Sequence, residues 1–208
     1  MAESAVVDFL RTQGWRYAER RSLNGALDKG DITGIPGLCM EVKYANSGLK
    51  LGPWLTETGI ERINSGADYG ILIVKPAGLG VKNIESWYTV MVATEFNGLK
   101  LLAHMESLAQ FQAHGIVPLS IVDGPVTKYT AATLRHSLGV GTANLLTAEI
   151  LALTLRPPGT KDRPEAWYRV MKLEHMVRLL HAAGYGDGPP YTREQWLRTQ
   201  SPGATERE

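Results

Sequence analysis

The stretch Gly30-Asp31-Ile32-Thr33-Gly34-Ile35-Pro36-Gly37-Leu38-Cys39-Met40-Glu41-Val42-Lys43-Tyr44 reads as two short extended segments about a turn. Asp31 opens the first segment, Gly34 to Gly37 is turn chemistry, and Leu38 to Tyr44 is the second. Alternate side chains of a strand share a face, so Glu41 and Lys43 point together while Val42 points into a core. Asp31 joins them only under a particular hairpin register. A two-residue Pro36-Gly37 turn sets Asp31 opposite Val42, on the wrong face, so convergence of Asp31 with Glu41 requires a three- or five-residue connection or a bulge.

Upstream, Val6, Val7 and Leu10 recur at helical spacing and Gly14 closes that helix; Trp15 to Ser22 reads as extended. Downstream come a helix from about Trp54 to Ser65, an apolar strand from Tyr69 to Val74 and a strand from Glu85 to Val92. Helix, three strands, helix, strand, strand is the order of an α/β fold around one mixed sheet. Helical patterns dominate afterwards: Thr94 to His114, Tyr129 to Leu155 with a break at Gly139-Val140-Gly141, and an amphipathic helix from Trp167 to Ala183, entered through Pro164 and left at Gly184. The expected organisation is a core over residues 1–95, a mainly helical region over 96–200 serving dimerisation or DNA binding, and a disordered tail over 201–208. No low-complexity tract or internal repeat is evident.

Two carboxylates converging beside a lysine suit phosphodiester hydrolysis, because hard divalent cations take oxygen ligands and Mg²⁺ uses one or two carboxylates with water and substrate phosphate. An isolated Glu-x-Lys is ordinarily a solvated strand face. The wider string, Gly30-Asp31-Ile32-Thr33-Gly34 followed by Met40-Glu41-Val42-Lys43, resembles the core of the PD-(D/E)XK nucleases, with Gly30 where that family often has proline. Glu3, Val6-Val7-Asp8-Phe9-Leu10, Gly14-Trp15 and Arg21-Ser22 are similar to the opening of archaeal-type Holliday junction resolvases, although the span between Arg21 and Asp31 is longer here. The likeness covers about the first ninety residues. It implies a restriction-endonuclease-like core, catalytic residues Glu3, Asp31, Glu41 and Lys43, and Mg²⁺ (or Mn²⁺) held by Asp31, Glu41, Glu3 and the backbone of Val42. It also sets Ser22 near the scissile phosphate with Asn24 beside it. Glu3 further lies on the core-facing stripe of its helix, where a carboxylate needs a partner.

Arg20, Arg21 and Lys29 are candidate phosphate contacts, with Arg62 and Lys75 weaker ones. Glu57 and Glu61 are set aside as solvated helix flanks. The net charge of +1 gives no general electrostatic warrant for nucleic acid. Among His104, His114, His136, His175 and His181 there is no zinc-site spacing, and the single Cys39 reads as a buried small hydrophobe. Trp167, Val170, Met171 and Val177 read as a core or dimer stripe. No apolar run has membrane-spanning length and the N-terminus lacks a secretory signal, so a cytoplasmic protein is expected. The functional expectation is a Mg²⁺-dependent endonuclease for branched DNA, acting as a homodimer because a four-way junction is nearly two-fold symmetric. The alternatives are an exonuclease or restriction-like nuclease, and a non-catalytic DNA-binding or assembly protein on the same fold.

Overall fold

A computed structural model describes residues 2–22, 28–46, 48–114, 121–126 and 150–186. Helix α1 (Ala2–Thr12) buries Ala5, Val6, Val7 and Leu10 at the expected helical spacing. Strands β1 (Glu19–Arg20) and β2 (Ile32–Thr33) form a small antiparallel pair, Glu19 opposite Thr33. Then come β3 (Leu38–Ala45), α2 (Leu51–Ser65), β4 (Tyr69–Pro76), a 3-10 turn (Val81–Ser86), β5 (Tyr88–Val92) and α3 (Ala93–His114). The chain continues through β6 (Ile121–Val126), β7 (Ile150–Leu155), a second 3-10 turn (Pro164–Ala166), β8 (Tyr168–Lys172) and α4 (Leu173–Ala182).

Six strands make one mixed sheet in the order β3-β4-β5-β8-β7-β6. The pairs β3/β4 and β6/β7 are parallel, and the others antiparallel. Period-2 alternation feeds two cores: Ile71 and Ile73 of β4 face α1, α3 and α4, while Leu72 and Val74 face Leu51 and Leu55 of α2. The α/β expectation with a mixed sheet flanked by helices therefore holds. No described helix is long and apolar enough to cross a membrane.

The mainly helical C-terminal region is a correction. Residues 150–155 and 168–172, both expected to be helical, are strands, and β8 pairs with β5 across the middle of the sheet. Val170 and Met171 are both buried, but on opposite sheet faces, so they are not one helical stripe. Short apolar runs satisfy either period, and here lateral pairing decides. Only from Leu173 onward is the expected helix real, and it buries Val177. The strand expected from Glu85 begins at Tyr88, after the 3-10 turn. The hairpin of Asp31–Thr33 with Leu38–Tyr44 is also corrected: β2 pairs with β1, and β3 with β4. Residues 127–149, which include Gly139-Val140-Gly141, and the tail 201–208 lie outside the described residues.

A further correction concerns repeats. The strand order is a palindrome about β5 and β8, and the register matches it. Tyr88 pairs with Lys172 as Val92 pairs with Tyr168, Thr89 with Met171 as Met91 with Arg169, and Val90 with Val170 at the centre. The sequences agree: Glu85-Ser86-Trp87-Tyr88-Thr89-Val90-Met91 against Glu165-Ala166-Trp167-Tyr168-Arg169-Val170-Met171. Trp87 Nε1 donates to the Gly80 carbonyl at 3.3 Å, and Trp167 Nε1 to that of Thr160 at 2.7 Å. The Leu173 N–H donates to the Trp87 carbonyl and the Ala93 N–H to the Trp167 carbonyl, both at 2.8 Å. Pro76 and Gly78 (φ 78°) recur as Pro157 and Gly159 (φ 75°). The chain thus contains two copies of a strand, 3-10 turn, strand and helix unit around a pseudo-two-fold axis.

At the end of α4, the His181 ring lies 4.3 Å from that of Trp15, and its Nε2–H donates to the Gln13 carbonyl at 2.7 Å. Burial pushes this imidazole below its ordinary value of 6.5, against the opposing pull of the Gln13 and Tyr185 backbone. A depressed folded value means stability present above the unfolded value and lost as pH falls through the folded one. Urea midpoints at about pH 7.5 and about pH 5.5 should therefore drop more for the parent than for His181→Gln. Equal drops would remove His181 from the acid limb.

Candidate metal centre

Strand β3 is an edge of the sheet, so the peptide groups of Met40 and Val42 on its outer side have no strand partner. Asp31 lies along that side. Its N–H donates to the Met40 carbonyl at 2.9 Å, and its Oδ2 accepts the Val42 N–H at 2.8 Å. These contacts, rather than a hairpin ladder, bring Asp31 to β3. The Arg21 N–H donates to the Asp31 carbonyl at 2.7 Å, and Arg21 Nε to the Gly30 carbonyl at 3.0 Å. Gly30 has φ 83°, which proline cannot adopt, and a Cβ there would stand 2.9 Å from Cys39 Sγ. The glycine that departs from the resembled motif is thus required by this turn. Burial pushes the Cys39 thiol up to about 11, keeping it protonated and inert.

Glu41 and Lys43 emerge together toward α2, as the strand alternation requires. Lys43 Nζ lies 2.6 Å from Glu41 Oε1 and 2.9 Å from Glu57 Oε2. Glu57 and Glu61 stand one turn apart on α2. Carboxylate oxygens of Glu41, Glu57 and Glu61 lie within 4.8 Å of one another, the only such group of three His, Cys, Asp or Glu found among the described residues. Glu61 is 1% exposed, and neither of its oxygens has a hydrogen-bond partner.

The electrostatics follow from burial and crowding. Burial pushes Glu41 up to about 8, with Asp31 and Glu61 adding to the rise and the hydrogen bond from Lys43 opposing it. Burial likewise lifts Glu61 to about 6; its contact with Glu41 opposes the rise, and the charges of Asp28 and Glu57 add to it. Between two carboxyls that contact is a hydrogen bond only when one holds a proton, and with both ionised Glu61 has no donor. Burial would lower Lys43, but its bonds to Glu41 and Glu57 outweigh this and hold it charged. Glu41 and Glu57 thus share the Lys43 ammonium, with Glu61 beside them and Asp31 close enough to Glu41 to raise it. An all-oxygen group in which the buried Glu61 carboxylate has no donor is what a hard divalent cation satisfies, so the residues fit such an ion.

The other expected residues are placed as follows. Glu3 is in the first turn of α1, half-buried, with Oε2 buried and lacking a hydrogen-bond partner. No hydrogen bond or ion pair among the described residues joins it to Asp31, Glu41 or Lys43, and it is outside the three-carboxylate group. The Val42 side chain is in the core, and strand geometry turns its carbonyl to the same free edge as its N–H. Arg20 and Ser22 are exposed, Lys29 is partly buried, and Asn24 is outside the described residues. Arg62 is engaged with Glu95, Nε to Oε1 3.2 Å, and with the Ala67 carbonyl, while Lys75 Nζ sits 4.0 Å from the centroid of the Tyr44 ring. Arg62 and Lys75 thus have intramolecular roles.

Glu57 and Glu61 are what sequence reasoning missed. The available signal was helical phase: Glu61 follows Thr58 by three residues, on the flank of the buried stripe Leu51, Leu55 and Thr58. Leaving such a carboxylate ionised without a donor costs about 1–3 kcal/mol. In chelator-treated buffer at neutral pH, Glu61→Gln should therefore be more stable to urea than the parent by about 1–3 kcal/mol. Adding Mn²⁺ should stabilise the parent and not the variant. A less stable metal-free variant would show that Glu61 has a partner in solution.

Comparison with protein-family models, curated proteins and solved structures finds no match to this chain.

Proposed function

We propose that this chain is a divalent-cation-dependent DNA endonuclease of the PD-(D/E)XK type that acts on branched DNA. The observation that carries the reading is Glu41 and Lys43 side by side on an edge strand, with the Asp31 carboxylate fixed to the same strand at Val42. Asp31, Glu41 and the Val42 carbonyl would hold Mg²⁺ or Mn²⁺, and Glu57 with Glu61 extends the oxygen set toward α2. A bound cation would supply charge to the phosphate oxygens and make a neighbouring water more acidic.

The chain's own residues contribute the rest. Lys43, held charged, offers an ammonium to orient the attacking water or to stabilise the crowded phosphate. Arg20, exposed on β1, and Lys29, just ahead of Asp31, offer cations for backbone phosphates without reading sequence. The preference for branched DNA rests on resemblance to junction resolvases.

The test is incubation with Mg²⁺, and separately Mn²⁺, of a labelled four-way junction, a linear duplex of the same sequence and a single strand. Cuts near the branch point are the expected result. Shortening of linear DNA from its ends would replace this reading with an exonuclease. Binding without any cut in either metal would leave a non-catalytic DNA-binding protein.

A further inference from the structure

The two copies of the repeated unit differ where the chemistry lies. Leu72 and Leu153 occupy equivalent places, each paired with the central valine of its neighbour, Val90 or Val170. In the parallel pairs, Leu72 is matched by Glu41, whereas Leu153 is matched by Gly124. Val74 is matched by Lys43, whereas Leu155 is matched by Val126. The second copy therefore has glycine and valine at the positions of the catalytic pair. Asp123 is one residue out of phase, at the register of Met40. The sequence from Gly124 to Ala148 contains no Asp or Glu, whereas the segment after β3 supplies Glu57 and Glu61.

The central seam has the form of an isologous interface, in which contact i to j is repeated as j to i. In a homodimer that seam joins two chains. Here both sides belong to one chain, so the continuous sheet uses up internally the surface that a second copy would occupy. The ends of the sheet are β3 and β6, and Glu41 of the three-carboxylate group lies on β3.

We propose that this chain is a single-chain counterpart of a two-fold dimer in which one unit keeps the metal centre and the other lacks it, so that it nicks one strand per encounter. The inference rests on the nuclease reading for its product, but the count of centres and the state of the chain are independent of cleavage. Cutting both strands of a junction then takes two encounters, unlike the paired nicks of a symmetric dimer.

Three measurements test it. Sedimentation of the full chain at micromolar concentration should give the 22.8 kDa monomer, and a stable dimer would overturn the single-chain statement. Calorimetric titration with Mn²⁺ alone, without DNA, should show binding that is lost in the Glu41→Gln/Glu61→Gln double variant. A second set of sites surviving in that variant would overturn the one-centre statement, and so would a parent that binds no Mn²⁺. On a supercoiled plasmid extruding a cruciform, nicked circles should accumulate before linear DNA; linear product formed without a nicked intermediate would overturn the one-strand statement. Failure to cut this plasmid together with every other substrate would overturn the nuclease reading, while the mass and Mn²⁺ results would still decide the architecture.

Discussion

Asp31→Asn is expected to reduce cleavage by about a thousandfold or more, equivalent to about 4 kcal/mol of transition-state stabilisation, with the fold intact. The substitution separates the two jobs of Asp31. Its N–H bond to the Met40 carbonyl does not involve the side chain, and an asparagine oxygen can still accept the Val42 N–H that Oδ2 accepts at 2.8 Å. What is lost is the negative charge, and a neutral amide is a poor ligand for a hard cation beside Glu41. Single-turnover rates on a four-way junction, with urea unfolding of both proteins, provide the measurement. Parent-like cleavage by Asp31→Asn would remove Asp31 from the site. Loss of cleavage together with loss of the fold would make its role structural.

The largest effect on stability is expected at Gly34, which has φ 75°. A Cβ there would lie 1.7 Å from the carbonyl oxygen of Tyr17 and 2.5 Å from its carbon, both backbone atoms that no rotamer change can move. Gly34→Ala must therefore separate the segment holding β1 from the one holding β2, besides the cost of about 1–2 kcal/mol for a left-handed alanine. A loss of at least about 3 kcal/mol is expected, read as a lower urea midpoint or as insoluble protein. The consequence reaches the candidate metal centre, because the Arg21-to-Asp31 bond is set beside that same pair. If Gly34→Ala folds at all, its cleavage should fall as well. A stability change under about 1 kcal/mol would mean that the two backbones are not in contact.

The first half of the fold was legible because its elements carry unambiguous punctuation. Gly14 closes α1, Gly66 caps α2 in the left-handed conformation, and the run Tyr69–Pro76 is too short and too β-branched to be a helix. The shared face of Glu41 and Lys43 followed from strand geometry alone. The route by which Asp31 reaches them did not, because it depends on a side chain bonding to the backbone of an edge strand rather than on a ladder register. In the second half, Tyr168–Lys172 has apolar residues that also fit a helical period, and only its partner β5 reveals the strand. The repeat escaped notice for a related reason: it is kept at Glu, Trp, Tyr, Val and Met of a seven-residue segment, while the rest is preserved as register and hydrogen bonding, which are invisible in one dimension. Glu61 was hidden by a sound rule, that helix-flank carboxylates are solvated, at a place where another charged strand comes close.

The attachment of Asp31 to β3 also bears on how this protein stays in solution. An uncovered edge strand is a template on which another chain can add by backbone pairing, and β3 is eight residues long with an apolar sequence around Glu41 and Lys43. By occupying the Met40 carbonyl and the Val42 amide, Asp31 closes the middle of that template with a charge, leaving no long run of vacant peptide groups. A residue assigned to chemistry thereby doubles as a guard against self-association. Asp31→Ala, unlike Asp31→Asn, frees the Val42 amide and removes the charge together. Of the two variants, the alanine form should be the one that scatters light on concentration.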